Sequence, residues 1–98
     1  MIKLIYITED HIKQAKTICP IRASISDALN INIANIRVNS LIQVKINNYH
    51  YILDKKVSNW LVRLDYFINK DINLPDVIKP FRFGLNIDNK ILSSSSVG

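Results

Sequence analysis

Residues 57–68 read VSNWLVRLDYFI, and after a short connection residues 80–85 read PFRFGL. In the first segment apolar residues recur at intervals of three and four, which predicts a helix with one apolar face. In the second segment Phe81, Phe83 and Leu85 alternate with other residues, as residues on one face of a strand do. Because the apolar face of a helix has to pack against another layer, the two segments predict a helix that lies on a sheet.

The residues before this helix predict a strand and two further helices. Residues 2–7 are rich in isoleucine and predict the strand, and Thr8 is suited to cap a short helix after it. We expect that helix to carry three apolar residues inward, namely Ile12, Ala15 and Ile18. Pro20 is suited to the first position of the second helix, which we expect to end at Asn30.

Between residues 31 and 53 the apolar period shortens from near four to near two, which predicts two or three antiparallel strands. Asn47 and Asn48 predict a tight turn before the last of them, since asparagine tolerates left-handed backbone angles. The whole pattern predicts an α+β fold in which a mostly antiparallel sheet of four or five strands carries two or three helices on one face. The order of the elements fits a ferredoxin-like arrangement.

The length and composition predict a single domain. The chain has 98 residues, of which 48% are hydrophobic, and this is enough for one modest core without a metal ion or a disulfide. We expect residues 1–90 to form that domain. Residues 91–98 read ILSSSSVG, and we expect this tail to be disordered because it has little to bury.

The cysteine content and the hydropathy predict a cytoplasmic protein. Cys19 is the only cysteine, so no disulfide can form within the chain, as is typical of a reducing compartment. No segment has the features of a secretory signal, and no run approaches the ~20 apolar residues of a membrane span. We therefore expect no membrane contact. The 13 Lys and Arg residues against 8 Asp and Glu residues give a net charge of +5, which favours anionic partners.

Motifs for catalysis and for metal binding are weak. With only two glycines the chain contains neither a P-loop nor a dinucleotide fingerprint. Cys19 and His50 are the residue types of a catalytic triad with an aspartate. The simpler interpretation is that Cys19 packs at a corner as a small apolar side chain. Asp65 borders the apolar helix face, which favours a structural pair with a cation over catalysis. His11, His50 and Cys19 lack metal-ligand spacing. We expect no enzymatic activity, cofactor or metal.

Basic residues give the clearer functional signal. Five lie on predicted strands, at a helix start or before the last strand, and they are Arg22, Arg37, Lys45, Lys79 and Arg82. Arginine is suited to bidentate contacts with phosphate. Tyr49 and Tyr51, with Phe83, are candidate stacking surfaces for bases, provided that the tyrosines face away from the helices. We predict that these basic and tyrosine residues bind an anionic ligand. The alternative is that the charges are the ordinary solvated face of strands whose other face is core.

Several short motifs resemble a group of small bacteriophage proteins of uncharacterised function, which carry an EHI, CPIA, FD and PFxF pattern. The matching motifs are Thr8-x-x-His11-Ile12, Cys19-Pro20-Ile21-x-Ala23, Tyr51-x-Leu53, Val57-x-x-Trp60-Leu61-x-x-Leu64-Asp65 and Val77-x-x-Pro80-Phe81-x-Phe83-x-Leu85. They cover most of residues 5–87. The resemblance implies a viral origin and action in the host cytoplasm, and it implies no activity.

Together these observations favour a non-enzymatic, phage-type accessory protein that counteracts host defence by binding an anionic ligand. A nucleotide is the leading ligand, and a nucleic acid or an acidic face of a host protein are the others. A small RNA- or DNA-binding module is the first alternative function, and a nucleotide hydrolase that uses a thiol or a carboxylate is the second. By analogy with small sequestering proteins, we expect a homo-oligomer.

Overall fold

The computed structural model describes residues 1–40 and 42–88, and it has an α+β fold in a single domain, as the sequence predicts. Its elements in chain order are β1 (Ile2–Ile7), α1 (Glu9–Lys13), α2 (Pro20–Leu29), a 3-10 turn (Ile33–Asn35), β2 (Ile36–Ser40), β3 (Gln43–Ile46), β4 (Tyr49–Ile52), α3 (Lys55–Ile68), α4 (Leu74–Val77) and β5 (Phe81–Asn86). None of these helices has the length and apolar character that crossing a bilayer requires. The tail predicted to be disordered, residues 91–98, lies outside the described residues.

The strands of the described residues form two antiparallel sheets and not the single sheet that the sequence predicts. β1 pairs with β5, whereas β2, β3 and β4 form a three-stranded meander. A ferredoxin-like sheet is therefore not formed by this part of the chain. Alternation of apolar residues predicts that a segment is a strand but not which edge it joins, because every strand edge offers the same backbone N–H and C=O groups.

One hydrophobic core lies against the inner faces of both sheets. Its fully or almost fully buried residues come from both sheets and from all four helices, and they include Ile5, Ile7, Ile12, Ile21, Ile25, Ile36, Val44, Ile46, Val57, Leu64, Leu74, Phe83 and Leu85. Helix α2 lies against both β1 and β2, so it bridges the two sheets. The shared core and this bridging helix make the two sheets parts of one domain.

Helix α3 packs on the start of β5 through its tryptophan, as the two opening segments of the sequence predict. Val57, Leu61 and Leu64 are buried on one face of the helix. Trp60 is half-buried, with its ring centroid 5.1 Å from that of Phe81. Its indole N–H donates to the carbonyl oxygen of Lys79 at 3.2 Å. The contact orients α3 relative to the β1–β5 sheet.

The first helix is shorter than predicted. Ile12 and Ala15 are buried, but Ile18 is 38% exposed, so the prediction that Ile18 points inward is wrong. The reason is that α1 ends at Lys13 and the following residues form turns, in which the N–H of Ile18 donates to the carbonyl oxygen of Gln14. A side chain five residues beyond the end of a helix no longer follows the helical period.

Three asparagines adopt left-handed backbone angles, and they confirm two predicted boundaries. Asn30 ends α2 with a φ of 54°, and Asn47 and Asn48 form the turn between β3 and β4 with φ values of 49° and 73°. The 3-10 turn at Ile33–Asn35 replaces the first part of the strand predicted after Asn30. The side-chain oxygen of Asn32 accepts from the N–H of Ala34 at 2.9 Å and starts this turn.

Candidate anion-binding groove

The register of the meander determines which side chains share its open face. Arg37 pairs with Lys45, and Lys45 pairs with His50, so these three residues form one row across the three strands. In the adjacent row, Val44 is fully buried. Because successive residues of a strand point to opposite faces, the row of Arg37, Lys45 and His50 faces away from the core. Two of the predicted ligand residues, Arg37 and Lys45, are thus brought together.

This row borders a groove with a volume of about 640 Å³. Besides the row, its lining consists of Ala34 and four amide side chains, which are Asn35, Asn39, Asn47 and Asn48. We call these four residues the asparagine rim. A second depression of about 520 Å³ shares Ala34, Arg37 and Asn39 with the first and adds Arg22 and Val38. The two depressions together are called the basic groove.

Among the described residues no carboxylate lines the basic groove. The sequence has no Asp or Glu between Asp27 and Asp54, and the 3-10 turn and the whole meander lie in that interval. The His11–Asp27 hydrogen bond and the Lys13–Glu9 ion pair lie outside that interval. The charges of Arg37 and Lys45 therefore add up in the groove, which gives it a positive potential.

Arg22 forms part of the groove wall and is held by the backbone. Its Nε donates to the carbonyl oxygen of Ile36 at 2.6 Å, and its Nη2 donates to the carbonyl oxygen of Ile33 at 2.9 Å. These two bonds use two of the five guanidinium N–H groups. The predicted ligand residue Arg22 is therefore also a structural residue, which holds the 3-10 turn against the start of β2.

The asparagine rim is held in place by backbone contacts. The N–H of Asn47 donates to the carbonyl oxygen of Asn35 at 3.0 Å, which joins the β3–β4 turn to the 3-10 turn. The left-handed angles of Asn47 and Asn48 bring the chain around within two residues, as in a tight hairpin. Three of the rim residues, Asn35, Asn47 and Asn48, consequently lie on two elements that are tied together, and Asn39 lies on β2.

The structure does not bring the predicted stacking residues to this groove. Tyr49 and Tyr51 lie in the rows of Ile46 and Val44, on the opposite face of the meander from His50. The Tyr51 hydroxyl donates to Asp88 Oδ1 at 2.9 Å. Burial of the phenol and its interaction with Asp88 raise the pKa of Tyr51 above its ordinary value. Phe83, at 2% exposure, belongs to the core. We therefore do not retain a stacking role for these three residues.

Lys79 and Arg82 also lie away from the basic groove. Lys79 Nζ donates to the carbonyl oxygen of Pro75 in α4 at 3.1 Å. Arg82 is opposite Tyr6 on the outer face of the β1–β5 sheet. Because β5 pairs with β1 and not with the meander, Arg82 cannot share a face with Arg37. The predicted set of basic residues is thus divided: Arg22, Arg37 and Lys45 line the basic groove, and Lys79 and Arg82 lie away from it.

The residues considered for catalysis or metal binding have structural roles or lie far from one another. His11 Nδ1 accepts from the backbone N–H of Thr8 at 3.1 Å, and His11 Nε2 lies 2.6 Å from Asp27 Oδ2, so both ring nitrogens are engaged. Cys19 packs against the core. Asp65 is exposed, and within residues 1–40 and 42–88 it takes part in neither the Lys13–Glu9 ion pair nor the His11–Asp27 contact. Over the same ranges no cluster of three potential metal ligands is present.

Sequence reasoning missed His50 and the asparagine rim as groove residues. Asparagines are frequent throughout the chain, and this frequency concealed the four that cluster in space. The signal that would have found them is the absence of acidic residues from residue 28 to residue 53, in a segment that contains six asparagines.

Comparisons of the chain with protein-family models, with curated proteins and with solved structures gave no match. A functional conclusion therefore has to be drawn from the chemistry of the basic groove.

Proposed function

We propose that the protein binds a nucleotide through its phosphate groups in the basic groove and leaves the nucleotide chemically unchanged. The observation that carries the proposal is the row of Arg37, Lys45 and His50 on the open meander face, in a groove that no described carboxylate lines. Arginine and lysine at such a site form charge-assisted hydrogen bonds with phosphate oxygens.

The dimensions and lining of the groove suit one nucleotide. Neighbouring strands are ~4.8 Å apart, so the row across three strands spans about 10 Å, which matches the phosphate groups of a single nucleotide. The asparagine rim offers amide donors and acceptors for the ribose and the base. No Phe, Tyr or Trp of the described residues lines the groove, whereas proteins that bind long single strands stack successive bases on such side chains.

The biological setting of the proposal follows from the resemblance to small phage proteins. A phage protein that holds a host nucleotide signal in the cytoplasm lowers its free concentration without any chemical step. Counteraction of host defence by sequestration is thus the role that we assign to the basic groove.

A nucleic-acid-binding module is the second candidate. The observation that favours it is the continuity of the two depressions from Arg22 to His50, which offers an extended path for a phosphate backbone. Binding of a strand to several cations releases counterions, so that its affinity falls steeply with salt and is similar for unrelated sequences. Binding of one nucleotide shows a shallower salt dependence and a preference for a particular base.

The test is a melting-temperature screen against inorganic phosphate, linear nucleotides, cyclic nucleotides and a short oligonucleotide, followed by calorimetry of any positive. We expect a nucleotide to raise the melting temperature and Arg37→Ala to weaken its binding by about 10- to 100-fold, since a hydrogen bond to a charged group is lost. Arg63→Ala, which removes an exposed arginine of α3, is the matched control and should bind as the parent does. Absence of any nucleotide effect, or equal losses in the two variants, would refute the proposal.

The recovered nucleotide decides between binding and hydrolysis. After prolonged incubation we expect chromatography to return it unchanged. Cleavage that stops in Cys19→Ser or Asp65→Asn would replace sequestration by the hydrolase alternative.

A further inference from the structure

The outer face of the β1–β5 sheet is apolar and uncovered by the described residues. Ile2, Leu4 and Tyr6 alternate along β1 and are 71%, 48% and 54% exposed, whereas Ile5 and Ile7 between and beyond them are buried. Three large apolar side chains therefore point in one direction, away from the core.

On this face the partner strand β5 contributes a glycine, an asparagine and one charged residue. By the register, Arg82, Gly84 and Asn86 lie opposite Tyr6, Leu4 and Ile2. A Cβ atom on Gly84 would meet Cγ2 of Ile2 at 3.0 Å, so the Ile2 side chain lies directly over the glycine backbone. Arg82 is the only charged residue at these six positions.

The apolar face continues at its Tyr6 end. A groove of about 480 Å³ is lined there by Tyr6, Pro80 and Phe81, with Ile7, Thr8, Glu9 and Arg82 around them. We call Ile2, Leu4, Tyr6 and Pro80 the apolar stripe.

We propose that the apolar stripe is the contact surface of a homodimer. A two-fold axis through Leu4 would place Leu4 against its counterpart and Ile2 against Tyr6 of the second copy, so that the same patch is complementary to itself. The two Arg82 residues would then lie on opposite sides of the axis, about 13 Å apart at the rise of a β-strand. At that separation their repulsion is largely screened at moderate salt.

The exposed area agrees with a second copy as the occupant. If a fully exposed large side chain offers roughly 150–200 Å², Ile2, Leu4 and Tyr6 alone expose on the order of 300 Å². One side of a standard interface buries about 800 Å², of which somewhat more than half is non-polar. The three side chains with Pro80 therefore approach the apolar part of one such side.

Dimer formation and nucleotide binding use different sheets and respond oppositely to salt. Each copy carries a net charge of +5, so added salt reduces repulsion between copies and should strengthen the dimer. Added salt weakens phosphate binding in the basic groove. The homodimer proposal does not depend on the proposed function, and the sign of the salt effect separates the two.

The experiment is sedimentation equilibrium over a wide range of protein concentration, with Leu4→Lys and Val62→Lys compared. Val62, on α3, is 54% exposed and is the matched control for Leu4 at 48%. We expect the parent and Val62→Lys to reach twice 11.3 kDa and Leu4→Lys to raise the dimer dissociation constant by at least about 30-fold, as loss of a central contact does. Tyr6→Lys should act in the same way, and circular dichroism with thermal melting verifies that each variant is folded.

A parent that stays at the mass of one copy up to millimolar concentration would overturn the proposal. Dimers that persist in folded Leu4→Lys and Tyr6→Lys, or that are lost in Val62→Lys, would place the contact elsewhere and also overturn it.

Discussion

Arg22 and Arg37 border the same groove, but their guanidinium groups differ in what they contact. Arg22 is half-buried and donates to the carbonyl oxygens of Ile33 and Ile36. Arg37 is exposed on the open face of the meander, where it lines both depressions. Residue type alone predicted the same role for both. The difference arises because only Arg22 lies within hydrogen-bonding distance of the carbonyl oxygens of the 3-10 turn and the start of β2.

This difference gives a prediction about stability. Arg22→Ala should lower the free energy of unfolding by about 1–3 kcal/mol, because two partly buried carbonyl oxygens lose their charged donor. Arg37→Ala should change it by no more than about 0.5 kcal/mol, as exposed substitutions usually do. Urea denaturation measures both variants. Similar losses in both would show that Arg22 does not hold the turn.

At the scale of elements, the short helix α1 depends on contacts with α2. Five residues are too few for a helix to be stable alone. His11 closes a capping box with Thr8, since each accepts from the other's backbone N–H. Because Nδ1 of His11 accepts a hydrogen bond, the ring proton is on Nε2 and is donated to Asp27 on α2. One imidazole therefore caps α1 and links it to the next helix.

We expect His11→Ala to lower the free energy of unfolding by about 1–2 kcal/mol, through loss of the cap and of the link. Asp27→Ala should cost less, because it removes only the link, and Asp27→Asn should cost least, because its amide oxygen still accepts from Nε2. A double-mutant cycle from urea denaturation, with His11→Ala and Asp27→Ala, measures the coupling. Strict additivity of the two substitutions would contradict the link.

At the scale of the whole molecule, Tyr51 and Asp88 connect the two sheets. Tyr51 is on β4 of the meander, and Asp88 follows β5 of the other sheet. Burial and the neighbouring carboxylate raise the pKa of the Tyr51 phenol in the folded state above its unfolded value. Below about pH 10 both states keep the phenolic proton. Above that pH the unfolded state loses it first, so the unfolded state is favoured as the pH rises.

The free energy of unfolding should therefore fall progressively as the pH rises above about 10, and Tyr51→Phe should make this fall smaller. At neutral pH the same variant should lose about 0.5–1.5 kcal/mol with its hydrogen bond to Asp88. Urea denaturation at several pH values tests both expectations, with Tyr66→Phe on α3 as the control. If the free energy of unfolding decreases equally at alkaline pH in Tyr51→Phe and in the parent, ionisation of this phenol does not contribute to the loss of stability.

Periodicity and turn chemistry were sufficient to predict most elements of this protein. The face of α3 that carries Trp60, the start of α2 at Pro20 and the turn at Asn47 and Asn48 follow from interactions within a few residues. The spacing of residue types is therefore enough to predict such local structure. The early end of α1 was missed, because the residues after Lys13 form turns held by backbone hydrogen bonds that the spacing of Ile12, Ala15 and Ile18 does not reveal.

The functional candidates depended on pairings that act over long distances in the chain. Arg37 and Lys45 could be associated in advance, since neighbouring antiparallel strands bring them together. Arg82 could not be excluded in advance, because the choice of β1 as the partner of β5 is made by the shared core and not by β5 itself. Local sequence thus determined the elements and the excess of positive charge, and the tertiary structure alone decided which side chains share a surface, because strand pairing and packing of the core join residues far apart in sequence.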